Sequence, residues 1–148
     1  MKSAALSRNR LAESGTTSLA TAIDWNSVAD ALDAHGCAVV GPLLSSQECA
    51  ALAALYSANN DVFRSTVVMA RHGFGRGEYK YFAYPLPQRI ACLRATLYPH
   101  LALIANDWNA KLGTDVKYPE SHEEYLRRCH RAGQSKPTPL LLQYGPGD

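Results

Sequence analysis

The chain ends in Pro137-Thr-Pro-Leu-Leu-Leu-Gln-Tyr-Gly-Pro-Gly-Asp148, an apolar run that leads into a turn. The run Thr138–Tyr144 has the length and apolar character of a buried strand, and the Gly-Pro-Gly that follows is typical of a turn. No partner strand follows this turn in the sequence. Because an apolar strand with an open edge invites pairing with another chain, we expect the chain to self-associate through this strand.

Three further strands are predicted nearer the N-terminus. Phe63–Met69 is rich in β-branched residues, and Glu78–Tyr84 alternates aromatic with polar residues. The glycine-rich loop Arg71–Gly77 connects the two. Cys37–Val40 is a short apolar run closed by Gly41-Pro42, which predicts another buried strand.

Four helices complete the pattern. The first begins at the N-cap Asp24, and the second opens with the capping box Ser45-Ser-Gln-Glu48. The third covers Gln88–Leu112, where Pro99 predicts a kink or two abutting helices. The fourth starts at Tyr118-Pro119, with proline in its first turn. The sequence therefore predicts an α+β fold, with helices packed on an incomplete antiparallel sheet.

Composition narrows the class of protein. A chain of 148 residues with 47% hydrophobic and 19% charged residues suits one globular domain. The net charge of +2 is too small to indicate polyanion binding by itself. No run approaches the roughly 20 apolar residues of a membrane span, and residues 1–22, a flexible leader, lack the apolar core of a secretory signal. We expect a cytoplasmic protein without a membrane partner, whose domain is residues 23–148.

Residues suited to metal binding or catalysis do not cluster in the sequence. His122-Glu-Glu124 is an H-x-E string of the kind used by iron sites, but it lies in a predicted helix, where residues two apart do not share a face. Ion pairs toward Arg127 and Arg128 are its expected role. The four cysteines lack metal-ligand spacing, and no nucleophile signature is present. The residues themselves therefore predict no catalytic group and no metal ligand.

The segment Arg71–Tyr84 interleaves cationic and aromatic side chains. Such a pattern can hold phosphates and stack bases, which makes Arg71, His72, Lys80 and Tyr81 the candidate substrate-binding residues. The same alternation is also found in any half-buried strand. Both interpretations stay open, and the first includes a non-catalytic module that binds nucleic acid through this segment.

Three segments resemble the Fe(II)/2-oxoglutarate-dependent dioxygenases. Ala31–Leu52 is similar to the helix, strand and helix that open many of these enzymes, including prolyl hydroxylases. Met69–Pro87 resembles a bacterial family of oxygenases that act on damaged, methylated nucleic acid. Pro137–Asp148 is similar to the strand and turn that precede the H-x-D iron motif of that family.

The resemblance implies the N-terminal part of a double-stranded β-helix, or jelly roll. It implies Fe(II) and 2-oxoglutarate as cofactors, and hydroxylation or demethylation of damaged nucleic acid, or hydroxylation of proline in a peptide. Tyr144 and Gly147 match the family's Y-x-x-G, so Tyr144 is the candidate 2-oxoglutarate contact. The H-x-D and the distal histidine would lie beyond Asp148. The resemblance therefore implies a truncated oxygenase that, as this chain alone, binds no cofactor and is inactive.

Overall fold

The computed structural model describes residues 22–58 and 61–147, and these form four α-helices and a three-stranded antiparallel sheet. The predicted α+β class is confirmed. The predicted leader lies outside the described residues, apart from residue 22. In chain order the elements are α1 (Trp25–His35), α2 (Ser46–Ser57), β1 (Phe63–Val68), a 3-10 helix (Met69–His72), β2 (Glu78–Phe82), α3 (Gln88–Lys111), α4 (His122–Arg131) and β3 (Leu140–Gln143).

The described residues divide into two compact units. The first unit comprises 22–43 and 91–134, and it contains α1, α4 and most of α3. The second unit comprises 44–58, 61–90 and 135–147, and it contains α2 and the whole sheet. No helix in the described ranges is long and apolar enough to cross a membrane.

Side chains next to each helix end set the bounds of α1 and α2. The Asp24 carboxylate accepts hydrogen bonds from the first-turn N–H groups of α1, and Gly36 ends that helix with φ at 70°, a left-handed conformation that glycine adopts without strain. At the start of α2, Ser45 and Glu48 form both bonds of the capping box. Both predicted helix starts are confirmed.

The predicted strand Cys37–Val40 is wrong. These residues lie outside the sheet, and the side chain of Val39 is 99% exposed. A strand exists only where a second segment supplies ladder hydrogen bonds, and all three strands of the described sheet belong to the other unit. The apolar run alone led to the prediction, but a strand also needs a partner segment to pair with.

Two details of the predicted helices also differ from the structure. Residues Gln88–Lys111 form one continuous helix of 24 residues, so two abutting helices at Pro99 is the wrong alternative. A proline removes one N–H donor from a ladder that the other residues maintain.

The last helix, α4, begins at His122 rather than at Tyr118. The Ser121 hydroxyl caps it by accepting from the Glu124 N–H at 3.2 Å. Tyr118 and Pro119 have other partners: the Tyr118 N–H donates to Asn106 at 2.7 Å, and the Pro119 carbonyl accepts from a tyrosine hydroxyl of α3 at 2.9 Å. These bonds hold the connection between α3 and α4 in a non-helical conformation.

Stacked rings and ion pairs join the helices of the first unit. Trp25 of α1 stacks on His100 of α3, with ring centroids 4.3 Å apart. About two turns further along each helix, the Asp33 carboxylate accepts from the Trp108 indole and forms an ion pair with Lys111 at 2.9 Å. These contacts join α1 to α3.

The central strand of the sheet is β2, which pairs antiparallel with β1 on one side and β3 on the other. Residues opposite each other in the ladder share a face of the sheet. Phe82 and Lys80 therefore face α2, and Phe82 is completely buried there. Tyr79 and Tyr81 lie on the opposite face.

Candidate functional site

Lys80, a predicted substrate contact, lies on the face of the sheet that α2 covers. Its ammonium group donates to the Tyr56 carbonyl at 2.9 Å and lies 4.3 Å from the centroid of the Tyr56 ring. It also lies 3.9 Å from the Glu78 carboxylate, which in turn accepts from the Tyr56 hydroxyl at 2.8 Å. Burial and Glu78 together raise the pKa of Tyr56 to about 12. In this structure Lys80 joins the sheet to α2.

Tyr81, another predicted substrate contact, lies on the opposite face of the sheet. The guanidinium group of Arg64 lies over its ring, 4.4 Å from the centroid, and Arg64 also donates to the Pro137 carbonyl at 3.2 Å. Tyr79 meets Tyr81 edge to face at 5.5 Å. Because Lys80 and Tyr81 are consecutive strand residues, one ligand surface cannot include both side chains.

Arg71 and His72 lie in the loop between β1 and β2. The loop begins with the 3-10 helix Met69–His72 and then turns at Gly73, whose φ is 72°. Both side chains are exposed, and the His72 ring lies 6.3 Å from the ring of Phe74. The structure thus places these two predicted residues together, on the loop rather than on the strand with Lys80.

Tyr144 follows β3 and lies against the start of β2. A Cβ atom on Gly77 would be 2.8 Å from two carbons of the Tyr144 ring, so the ring lies directly on the glycine backbone. A depression of about 390 Å³ opens beside this contact. We call it the Tyr144 pocket, and its lining residues are Val68, Ala70, Arg76, Gly77, Glu78, Gln143, Tyr144 and Gly145.

The Tyr144 pocket combines one cation and one hydroxyl suited to an anion. A guanidinium group binds carboxylates and phosphates through paired N–H donors, and a phenol adds one further donor. Within the described residues no carboxylate forms an ion pair with Arg76. Glu78 also lines the pocket, and its carboxylate contacts Tyr56 and Lys80. Donors of these two types suit a carboxylate or a phosphate.

The pocket also contains a residue that is not among the four candidate substrate-binding residues. Arg76 lies between Gly75 and Gly77, in the segment Arg71–Tyr84 whose cationic side chains are predicted to hold phosphates, but its place beside Tyr144 was not predicted. The pairing of β2 with β3 brings Arg76 and Tyr144 to one pocket across 68 positions of sequence. The available signal was the glycine at 77, because a glycine without a turn often marks close approach of another group.

Iron does not fit the described residues. In residues 22–58 and 61–147 no three His, Cys, Asp or Glu side chains come together in a way that could hold a metal ion. In the H-x-E string of α4, Glu123 forms an ion pair with Arg127 at 2.5 Å, as predicted. Arg128 instead donates to the Lys117 carbonyl at 2.7 Å.

Residues 77–148 match the model of a family described as an oxygenase catalysing oxidative methylation of damaged DNA. The matched segment is just under half of the chain and includes β2, α3, α4 and β3. It also includes most of the lining of the Tyr144 pocket. The match supports an oxygenase acting on damaged DNA as the class of protein that this segment resembles.

Two curated relatives are the Uncharacterized proteins Rv2227 and MT2286 of Mycobacterium tuberculosis, from strains H37Rv and CDC 1551. Each is 45% identical to this chain over 67 residues, which is 45% of the chain. The aligned part spans only 29% of the length of either relative. No solved structure matches the chain.

Proposed function

We propose that this chain is part of an Fe(II)/2-oxoglutarate-dependent dioxygenase that oxidises methylated, damaged DNA. The observation that carries the proposal is the Tyr144 pocket, because most of its lining falls in the segment that matches the oxygenase family. The resemblance of Met69–Pro87 and Pro137–Asp148 to 2-oxoglutarate oxygenases supports the choice of cofactors. In this proposal the chain contributes the sheet that begins a double-stranded β-helix.

In this proposal the described residues bind and orient 2-oxoglutarate, and they do not hold the iron. Tyr144 donates its hydroxyl hydrogen to a carboxylate of 2-oxoglutarate, and Arg76 supplies the positive charge beside it. The iron ligands belong to parts of the whole protein outside residues 22–58 and 61–147. We therefore propose that the 148-residue chain by itself does not turn over substrate.

The direction of the reaction follows from the chemistry of a methyl group. One oxygen atom of O2 would be inserted into a C–H bond of an N-methyl group to give a hydroxymethyl group, and the other would oxidise 2-oxoglutarate to succinate with loss of CO2. The C–N bond then breaks, the nitrogen takes the hydroxyl proton, and formaldehyde leaves. The proposed net reaction is therefore demethylation, whereas the family is described as catalysing oxidative methylation. Release of formaldehyde would distinguish the two.

The experiment is a kinetic comparison on the whole protein, with Fe(II), 2-oxoglutarate and methylated single-stranded DNA. We expect Tyr144→Phe to raise the KM for 2-oxoglutarate with little change in the KM for DNA. Tyr84→Phe is the matched control, because Tyr84 is a partly exposed tyrosine of the same unit that does not line the pocket. Equal KM values for 2-oxoglutarate in the wild type and Tyr144→Phe would refute the assigned role.

A second candidate function is non-catalytic binding of nucleic acid through Arg71–Tyr84. The exposed arginines of the β1–β2 loop favour it, whereas Lys80 and Tyr81 do not, since they lie on opposite faces of the sheet. DNA binding by a folded whole protein that shows no 2-oxoglutarate turnover would favour this candidate. No observation on the described residues favours a peptide substrate over DNA.

A further inference from the structure

The loop that connects β1 to β2 presents an aromatic ring to solvent. Phe74 lies at the middle of this loop and is 68% exposed. It is flanked by Gly73 and Gly75, whose φ angles of 72° and 87° both lie in the left-handed region. Two such glycines bend the backbone on either side of Phe74.

Backbone hydrogen bonds close this loop at its base. The Met69 N–H donates to the Gly77 carbonyl at 2.9 Å, which joins the two ends of the loop. The Phe74 N–H donates to the Met69 carbonyl at 3.2 Å. A loop held in this way presents its outer side chain in a defined position, so little conformational entropy is lost when that side chain meets a ligand.

Two cations flank the ring. Arg71 and Arg76 are exposed, and within the described residues no carboxylate forms an ion pair with either guanidinium group. A single exposed apolar residue is ordinary on a protein surface. An exposed ring on a closed loop that also carries two exposed arginines, and whose base lines a pocket, has the composition of a nucleic-acid contact.

We propose that Phe74 stacks on a base of single-stranded DNA while Arg71 contacts a flanking phosphate. The inference deepens the proposed function and rests on it, since it assumes that the substrate is DNA. Stacking on Phe74 would hold one base beside the Tyr144 pocket, because Ala70, Arg76 and Gly77 of the same loop line that pocket. Every base has a π-face, so this contact is tolerant of sequence.

The test is a two-by-two binding comparison with the whole protein. One oligonucleotide is a short deoxythymidine strand, and the other has the same sugar-phosphate backbone with abasic sites. Stacking contributes about 1–3 kcal/mol per base, so we expect Phe74→Ala to weaken binding of the first oligonucleotide roughly 5- to 150-fold. Binding of the abasic strand should stay unchanged, because it offers no base to stack.

Two further variants make the comparison specific. Phe74→Trp should keep the preference for the base-containing strand. Leu112→Ala, which also removes an exposed apolar side chain but on the other unit, should leave both affinities unchanged. Arg71→Ala should weaken binding of both oligonucleotides alike and should lower the salt slope by about 0.7.

The outcomes separate the inference from the proposed function. If the wild type binds DNA and Phe74→Ala changes neither affinity, or changes both equally, the stacking role is overturned while DNA binding stands. If the wild type binds neither strand at low salt, the DNA substrate of the proposed function falls together with the stacking role.

Discussion

The ring of Tyr144 lies across the backbone of Gly77, so that any side chain at position 77 would meet it. A Cβ atom there would be 2.8 Å from two ring carbons and 3.1 Å from the Met69 sulfur. This contact joins the end of β3 to the start of β2 and defines one wall of the Tyr144 pocket. The glycine is required by its neighbour and not by its φ, which is not positive.

Replacing Gly77 with alanine should displace Tyr144 without unfolding the protein. The Tyr144 side chain is 57% exposed, so its ring can swing away, and we expect the free energy of unfolding to fall by less than about 1 kcal/mol. In the whole protein the KM for 2-oxoglutarate should rise as it does for Tyr144→Phe. Gly41→Ala is the control, because a Cβ there meets nothing within 4 Å. An unchanged KM in Gly77→Ala would show that the contact has no part in the site.

The hydrogen bond from Tyr56 to Glu78 should stabilise the second unit measurably. Tyr56→Phe removes a donor to a charged acceptor at 2.8 Å, and we expect a loss of about 1.5 kcal/mol in urea denaturation. Tyr144→Phe should cost much less, because the Tyr144 side chain is 57% exposed. A loss of the same size in both variants would show that the effect is not due to this bond.

The same tyrosine gives a prediction for alkaline pH. Burial and Glu78 raise the pKa of Tyr56 from its usual 10.0 to about 12, so the folded state holds the proton more tightly than the unfolded state. The stability that this shift contributes is complete below pH 10 and is lost as the pH rises toward 12. Stability measured across that range should therefore fall less steeply in Tyr56→Phe than in the wild type. If stability fell equally steeply with pH in both proteins, Tyr56 would not be the group responsible.

His122 gives a prediction on the acid side. Burial, and secondly the positive charge of Arg94, lower its pKa from the usual 6.5, so the unfolded state binds the proton more readily. The contribution to stability is complete above pH 6.5 and is lost as the pH falls. Arg94→Met should raise the pKa of His122 part of the way back, as followed by the NMR shift of its imidazole protons. An unchanged pKa of His122 in Arg94→Met would show that the charge of Arg94 does not contribute to the lowered pKa.

The edge strand β3 gives a prediction for association. Leu142 is 49% exposed on a strand that pairs with β2 on one side only, within the part of the chain that the structure describes. We expect the 148-residue chain to self-associate in sedimentation velocity, and Leu142→Lys to reduce this, because a charge on an edge strand opposes pairing. Leu112→Lys, at an exposed leucine outside the sheet, should not. A concentration-independent monomer in the wild type would refute the prediction.

Sequence reasoning succeeded where the structure depends on neighbouring residues. The caps at Asp24 and Ser45 lie within three residues of the groups they bind, so the sequence shows both partners at once. The strand at Cys37–Val40 failed because ladder partners are distant in sequence and leave no local trace. For the same reason β3 is shorter than predicted, since only Leu140–Gln143 face partners on β2.

The same distinction applies to the candidate site: its local features could be predicted from the sequence, and its long-range contacts could not. The loop position of Arg71 and His72 follows from the glycines around them, and the structure confirms it. The contact of Lys80 with Tyr56 spans 24 positions, so no local pattern could reveal that the lysine is engaged inside the unit. The sequence places Phe74 in the glycine-rich loop, but its exposure depends on the backbone hydrogen bonds that close the loop.

The most direct test of the account is turnover by the whole protein on single-stranded DNA that carries an N-methylated base. With Fe(II), 2-oxoglutarate and oxygen, we expect formaldehyde and succinate in equal amounts, and neither product when 2-oxoglutarate is left out. Tyr144→Phe should need more 2-oxoglutarate for the same rate. A folded whole protein that binds this DNA and releases neither product would contradict the assignment as a 2-oxoglutarate-dependent demethylating oxygenase.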